Sequence, residues 1–306
     1  MEENNTAEFY KYTEEKGIAT SVTEQDSVSF ATAENFFQQG QYENALKAVQ
    51  QYQGQFPSGA YLLKANYYGL TSLEKLGRNN ETKPYLEYII GQPDNDYTDN
   101  ALLKLAGMEK GDGEFEKAIS YYERLLDITE NQKMKTQALE GAMECSYKLD
   151  DYDNAIAKGN ELLSVRDLAQ NKKNYVNYVI GMSLYKKNNL VEAATKLDAC
   201  SSKDRTEIGA EAAYYLVLAN YKMGKLDETE DKVFYISDNF SNYSYYVAMS
   251  FVTLSDVYVA KDNVFQAKET LKSIIENYPG GEPKNLAQQK LAAIEKEELK
   301  NEEDAE

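Results

Sequence analysis

The chain contains no histidine and no tryptophan. Imidazole general bases, Ser-His-Asp triads and histidine-liganded zinc are therefore excluded. Only two cysteines occur, Cys145 and Cys200, 55 positions apart. They form no C-x-x-C pair, so a thioredoxin-like redox centre, a cysteine zinc site and a disulfide framework all lack their parts. Basic residues are in deficit: 33 Lys+Arg face 51 Asp+Glu in 306 residues, a formal net charge of −18. Nucleic acid and anionic membrane surfaces need a positive footprint and are disfavoured as partners. No apolar run approaches the ~18 residues of a membrane span, so direct membrane insertion is not expected. The start, Met1-Glu2-Glu3-Asn4-Asn5, lacks the basic and apolar stretches of a signal peptide. Such a start fits a cytosolic chain or a piece of a longer precursor.

Apolar residues make up 42% and charged residues 27% of the chain, enough for a sizeable core. One signal recurs along it: a turn, an aromatic or Leu, then a small residue opening a helix. It reads Gly40-Gln41-Tyr42-Glu43-Asn44-Ala45, then Gly113-Glu114-Phe115-Glu116-Lys117-Ala118. It returns as Asp150-Asp151-Tyr152-Asp153-Asn154-Ala155 and as Asn188-Asn189-Leu190-Val191-Glu192-Ala193. Weaker copies place Thr82 after Gly77, Thr229 after Gly224 and Ala267 after Asp262. The small residues fall at 45, 82, 118, 155, 193, 229 and 267, with spacings of 37, 36, 37, 38, 36 and 38. Around the turn at Gly113, Ala101, Leu102, Leu105 and Met108 precede it, and Ala118, Ile119, Tyr122, Leu125 and Leu126 follow it, both sets at helical spacing. The Gly or Asn at each turn suits a left-handed C-cap. Strand signals are poor, and a lone helical pair cannot bury its apolar face, so neighbouring pairs must stack.

Gly40, Tyr42, Ala45 and Pro57 in the first unit, and Ala267, Leu271, Ile274 and Pro279 in the last, resemble the tetratricopeptide repeat (TPR) over residues 26–280. The period is about 37 rather than the family's 34, and Thr82 and Thr229 replace Ala. The expected fold is all-α: a right-handed α-solenoid of about seven TPR-like helix-turn-helix repeats with a C-terminal capping helix. Its divisions are a short helix and linker over 1–25, repeats at about 26–62, 63–98, 99–135, 136–173, 174–209, 210–247 and 248–280, and a cap and acidic tail over 281–306. Pro283, Leu286, Leu291, Ala292 and Ile294 mark the cap, and the chain is expected to fray from Glu295 onward. A narrower likeness lies in Phe56-Pro57-Ser58-Gly59-Ala60-Tyr61 and Asn277-Tyr278-Pro279-Gly280-Gly281. These segments look like the bacterial cell-envelope subgroup that includes the Tol-Pal accessory protein and the outer-membrane assembly lipoprotein. That likeness implies a periplasmic or envelope adaptor; a cytoplasmic location is the alternative.

In this family the first helix of each pair lines the concave surface, where peptides bind. Three residues before the turn, successive repeats carry Tyr147-Lys148, Tyr185-Lys186 and Tyr221-Lys222. Seven residues before the last two of those tyrosines stand Tyr178 and Tyr214, on the same helix face. The tyrosines offer apolar rings with polar tips. The lysines form a positive strip suited to an acidic segment or a terminal carboxylate, or simply complement the helix dipoles. No cofactor motif is present: Gly111-Asp112-Gly113 lacks the Lys-Ser/Thr of a phosphate loop, and Asp94-Asn95-Asp96 is too short for a calcium loop. Acidic residues such as Glu114, Glu116 and Asp153 fit a solvated face better than a carboxylate pair for catalysis. The expected function is a non-catalytic scaffold or adaptor holding a protein or peptide in the groove. Glycan or cell-wall binding through the tyrosines, and a structural segment of a longer self-associating array, are the alternatives.

Overall fold

The computed structural model describes residues 11–13, 15–16 and 21–303. The short helix expected over 7–17 lies largely outside them, as do residues 18–20 of the linker and 304–306 of the tail. Among the described residues every regular element is helical. Seven hairpins follow one another: α1 (Val22–Gln38) with α2 (Tyr42–Gln55), α3 (Leu62–Lys75) with α4 (Lys83–Ile90), α5 (Thr98–Gly111) with α6 (Phe115–Ile128), and α7 (Gln132–Lys148) with α8 (Tyr152–Leu163). Then come α9 (Gln170–Lys186) with α10 (Leu190–Ser201), α11 (Glu207–Lys222) with α12 (Leu226–Asn239), and α13 (Ser244–Ala260) with α14 (Val264–Asn277), closed by α15 (Glu282–Glu303). The chain forms two compact units, Met1–Gly141 and Ala142–Glu306, divided within α7.

Each hairpin turns on one residue in the left-handed region. Gly40, Gly77, Gly113 and Gly224 have φ of 72°, 74°, 82° and 73°, while Asp150, Asn188 and Asp262 have 58°, 60° and 58°. These are the residues at which the repeat signal placed its turns; left-handed backbone is cheap for Gly and tolerated by Asn and Asp. The small residue that follows is buried in all seven copies, Ala45 through Ala267. Thr82 and Thr229 stand in for Ala because each hydroxyl folds back onto a local carbonyl, of Asn79 and Lys225, at 2.7 Å. In the second hairpin the pattern is locally broken: Asn79–Glu81 form a 3-10 turn and Pro84 opens α4, which has eight residues.

Successive helices pack on one another from α1 to α6 and from α8 to α15, and first helices of neighbouring hairpins also touch: α1 on α3, and α9 on α11, α11 on α13, α13 on α15. The second helices α10, α12 and α14 stand further apart, so the first helices form the inner wall of the stack. Ion pairs clip successive hairpins together, including Lys64–Glu34 at 2.6 Å and Arg124–Asp94 at 2.9 Å in the first unit. Lys232–Asp198 and Lys290–Asp256, both at 2.6 Å, do so in the second.

Three expectations need correction. The first repeat begins at Val22, not 26, because Ser21 caps α1: its hydroxyl accepts from the Glu24 N–H at 3.2 Å and its own N–H donates to Glu24 at 2.8 Å. The last helix does not fray at Glu295 but continues to Glu303, held by Lys268–Glu298 at 2.7 Å. Ala287 is the small residue against the stack, beside Leu286, Leu291 and Ile294, whereas Ala292 is exposed.

The Phe56–Tyr61 segment joins α2 to α3 and is held from both sides. The Ala60 N–H donates to Asp26 at 2.8 Å and the Tyr61 N–H to the Tyr52 hydroxyl at 3.0 Å. A β-carbon on Gly59 would lie 2.4 Å from that same hydroxyl, so only glycine fits there. Around it Phe30 stacks on Tyr61 at 4.7 Å and meets Tyr52 edge-on at 5.6 Å.

Candidate functional site

All eight residues marked by the sequence lie in the second unit, on consecutive first helices. Tyr147 and Lys148 end α7, Tyr178, Tyr185 and Lys186 lie on α9, and Tyr214, Tyr221 and Lys222 on α11. The five tyrosines are half-buried and the three lysines exposed.

Of the five marked tyrosines the structure joins two, Tyr185 and Tyr214, into one line of rings, through residues that the repeat alignment missed. Tyr185 meets Tyr215 edge-on at 5.1 Å, Tyr215 meets Tyr214 at 5.6 Å, Tyr214 lies 6.1 Å from Tyr246, and Tyr246 meets Tyr245 at 5.3 Å. A connected line of rings thus crosses α9, α11 and α13. On α9, Tyr175 stacks beside Tyr178 at 6.4 Å, and the Tyr178 hydroxyl donates to Glu211 of α11 at 2.9 Å. Tyr245 donates to Glu282 at 2.8 Å.

Tyr215, Tyr245, Tyr246 and Glu211 were not singled out because they do not share one offset from the turns. Tyr178 and Tyr214 each lie ten residues before the left-handed residue, whereas Tyr246 lies sixteen before Asp262. Contacts run diagonally across the helices, so one spatial line samples different turns of each helix. The doublets Tyr214-Tyr215 and Tyr245-Tyr246 were the available signal.

The lysines behave differently from one another. Lys222 lies over the Tyr185 ring, its Nζ 4.4 Å from the centroid. Lys148 and Lys186 make no ion pair among the described residues. Tyr221 has no ring neighbour among the described residues, and Tyr147 turns into its own hairpin corner against Tyr152 at 6.1 Å.

Burial, with a carboxylate close by, keeps these phenols protonated. Burial and then the charge of Glu211 push Tyr147 up to about 12. Burial and the charges of Glu211 and Glu207 do the same for Tyr246, also to about 12. Tyr245 reaches about 12 through burial and its bond to Glu282. Tyr178, Tyr214 and Tyr215 are raised as well, burial being the first cause in each. The face is therefore aromatic, with neutral phenol hydroxyls donating to the carboxylates of Glu211 and Glu282.

Other features offer less. Cys145 and Cys200 are buried, and burial pushes the Cys200 thiol up to about 12, which removes its nucleophilicity at neutral pH. Among the described residues no three Cys, Asp or Glu side chains converge as metal ligands, and no helix is long and apolar enough to cross a membrane. A cavity of about 540 Å³ opens between α12 and α14, lined in part by Val247, Phe251 and Ile274. A second, of about 570 Å³ and lined by Gln50, Gln53, Asn66 and Tyr88, lies beside the shortened α4.

Comparison with known proteins bears on the fold. The tetratricopeptide-repeat sequence profile matches residues 249–281. No curated protein matches. The structure is similar to that of YrrB, a TPR protein with an unusual peptide-binding site (TM-score 0.53, 19% identity, 67% of this chain and 96% of that one). It is also similar to the C-terminal part of a TPR repeat-containing protein from Cytophaga hutchinsonii (TM-score 0.55, 12% identity, 83% and 96%). The apo form of RapI is a third (TM-score 0.53, 12% identity, 82% and 75%).

Proposed function

From the tetratricopeptide-repeat fold of this chain, we propose that it is a non-catalytic scaffold that holds a protein or peptide segment against the inner wall of its second unit. The observation that carries this is the line of tyrosines from α9 to α13, half-buried rather than fully packed. Half-buried aromatic rings with hydroxyl tips are the side chains that most often anchor a bound segment, because they desolvate well and lose little conformational freedom. A row on consecutive first helices presents such anchors at regular intervals to an extended chain. YrrB, whose structure resembles this one, has a peptide-binding site, and that supports the reading.

The exposed Lys148 and Lys186 extend the proposal to an acidic stretch at one margin of the face. Binding there weakens with salt, and Lys148→Glu with Lys186→Glu removes that contribution. The envelope likeness of Phe56–Tyr61 and Asn277–Gly281 extends it to a bacterial periplasmic location. Fractionation that recovers the native protein with cytoplasmic markers removes that extension.

The central test is selection of heptapeptides from a random phage-displayed library on the full chain. Selected peptides are then measured against a Tyr178→Ser/Tyr246→Ser variant whose circular dichroism and melting match the parent. Loss of binding is expected. Peptides that bind both proteins equally place the interaction elsewhere and end the proposal.

A further inference from the structure

Glu211, like Glu282, which accepts from Tyr245 at 2.8 Å, differs from two other carboxylates that accept a tyrosine hydroxyl across neighbouring helices. Glu34 accepts from Tyr68 at 2.8 Å and is also paired with Lys64 at 2.6 Å. Glu230 accepts from Tyr258 at 3.0 Å and is also paired with Lys261 at 2.6 Å. Both are closed triads of carboxylate, phenol and ammonium. Glu211 accepts from Tyr178 at 2.9 Å, yet no Lys or Arg of the described residues pairs with it.

The sequence around Tyr178 explains the difference. The lysines of the closed triads stand four residues before Tyr68 and three residues after Tyr258. The matching positions around Tyr178 hold Asn174 and Gly181. Asn174 is buried and takes a hydrogen bond from Gln170 at 2.8 Å, and Gly181 backs onto the Leu197 side chain. Neither brings a charge to Glu211.

What surrounds Glu211 instead is aromatic. Tyr178 bonds to it, Tyr215 stands four residues further along α11 on the same helix face, and the rings continue from there through Tyr214 to Tyr246. Rings around a carboxylate suit a cation: the carboxylate supplies the opposite charge and the ring faces add their quadrupole attraction. The same face already seats one cation, Lys222 over Tyr185 at 4.4 Å. A chain of net charge −18 also draws a basic partner toward itself more readily than an acidic one.

We propose that Glu211, with Tyr178 bonded to it and Tyr215 beside it on α11, is a recognition site for a lysine or arginine side chain of the bound segment. This rests on the inner-wall reading above and specifies its anchor. The ligand's cation takes the place that Lys64 and Lys261 hold in the closed triads, and Tyr178 keeps the carboxylate aimed toward it. Residues of the segment on the other side of the anchor pass toward the exposed lysines at the ends of α7 and α9.

The library selection tests this when read for composition. Heptapeptides selected on the full chain are expected to carry Lys or Arg at one shared position. They are expected to bind Glu211→Gln at least tenfold more weakly, while Glu228→Gln on the outer helix α12 binds as the parent does. Glu211→Gln keeps an acceptor for Tyr178, so its fold is preserved and only the charge is lost. Glu211→Lys, which carries its own cation to the same place, is expected to exclude the peptides. Selected peptides that are lost with Tyr178→Ser/Tyr246→Ser, but lack a basic residue or ignore Glu211→Gln, overturn the anchor and leave the inner-wall reading standing. Peptides indifferent to the tyrosines, or no selection at all, overturn both.

Discussion

Tyr178 of α9 donates its hydroxyl to Glu211 of α11 across 2.9 Å, joining two first helices whose residues lie 33 positions apart in sequence. The bond does for this pair of hairpins what the lysine clips do elsewhere, but with a neutral donor. A hydrogen bond to a half-buried carboxylate contributes about 1 kcal/mol, and the carboxylate regains water if it is broken. Tyr178→Phe is therefore expected to lower stability by about that amount in urea melts, with far-UV circular dichroism unchanged. A loss above about 3 kcal/mol would show that Tyr178 is a core residue rather than a surface of the inner wall.

The hairpin turns give a second expectation. Gly113 at φ 82° and Asn188 at φ 60° occupy the same place in their repeats. Alanine at Gly113 puts a β-carbon against the following carbonyl, a cost of about 1–2 kcal/mol, whereas Asn188 already carries one and alanine there loses the amide whose local hydrogen bonding makes the left-handed region tolerable. Gly113→Ala and Asn188→Ala are each expected to destabilise by about 1 kcal/mol, and Asn188→Gly to be close to neutral. Equal losses for Asn188→Gly and Asn188→Ala in the same melts would mean that the asparagine side chain, not the backbone region, holds the turn.

The turns and the repeat were legible in the sequence for one physical reason: each left-handed residue and each buried small residue is fixed by contacts local to its own hairpin. Gly40, Asp150 and Ala155 announce themselves within six positions. The tyrosine line was only partly legible, since Tyr185 and Tyr215 meet through the diagonal offset between helices of different hairpins, which no single-repeat alignment contains. Glu211 was invisible for a related reason. What sets it apart from Glu34 and Glu230 is the lysine that Asn174 and Gly181 fail to supply, and that emerges only when the phenol–carboxylate pairs are compared in space. The helix ends at Val22 and Glu303 were missed because a capping box and one ion pair, rather than hydrophobic periodicity, set them.

Alkaline titration reads the tyrosine face directly. Tyr147, Tyr245 and Tyr246 are held neutral up to about 12, against about 10 for an unfolded tyrosine. A value raised in the folded state means that the native chain keeps protons the unfolded chain releases. Its contribution to stability is complete below pH 10 and is lost as pH rises through 12. Phenolate absorbance is expected to rise in two classes, the later one appearing only as the protein unfolds, and the urea midpoint is expected to fall progressively above pH 10. Complete ionisation of every tyrosine near pH 10 without loss of helicity would contradict the burial of that face.

Tyr52 provides the opposite case to Tyr178, although each hydroxyl makes a hydrogen bond beyond its own helix. Its side chain is fully enclosed in the first unit and its hydroxyl accepts from the backbone N–H of Tyr61 at 3.0 Å. Removing the hydroxyl leaves the part-buried Tyr61 N–H without its acceptor beside a fully enclosed ring, which costs more than losing a bond at a half-open surface. Tyr52→Phe is expected to destabilise by about 1–3 kcal/mol and to loosen the Phe56–Tyr61 segment, seen as faster amide exchange at Ala60 and Tyr61. Pairing Tyr52→Phe with Asp26→Asn is expected to give less than the sum of the two single losses, because Asp26 and Tyr52 restrain adjacent N–H groups of one loop that is released once. Strict additivity would mean that the two anchors act independently, and that the loop is set by Gly59 and its own turn.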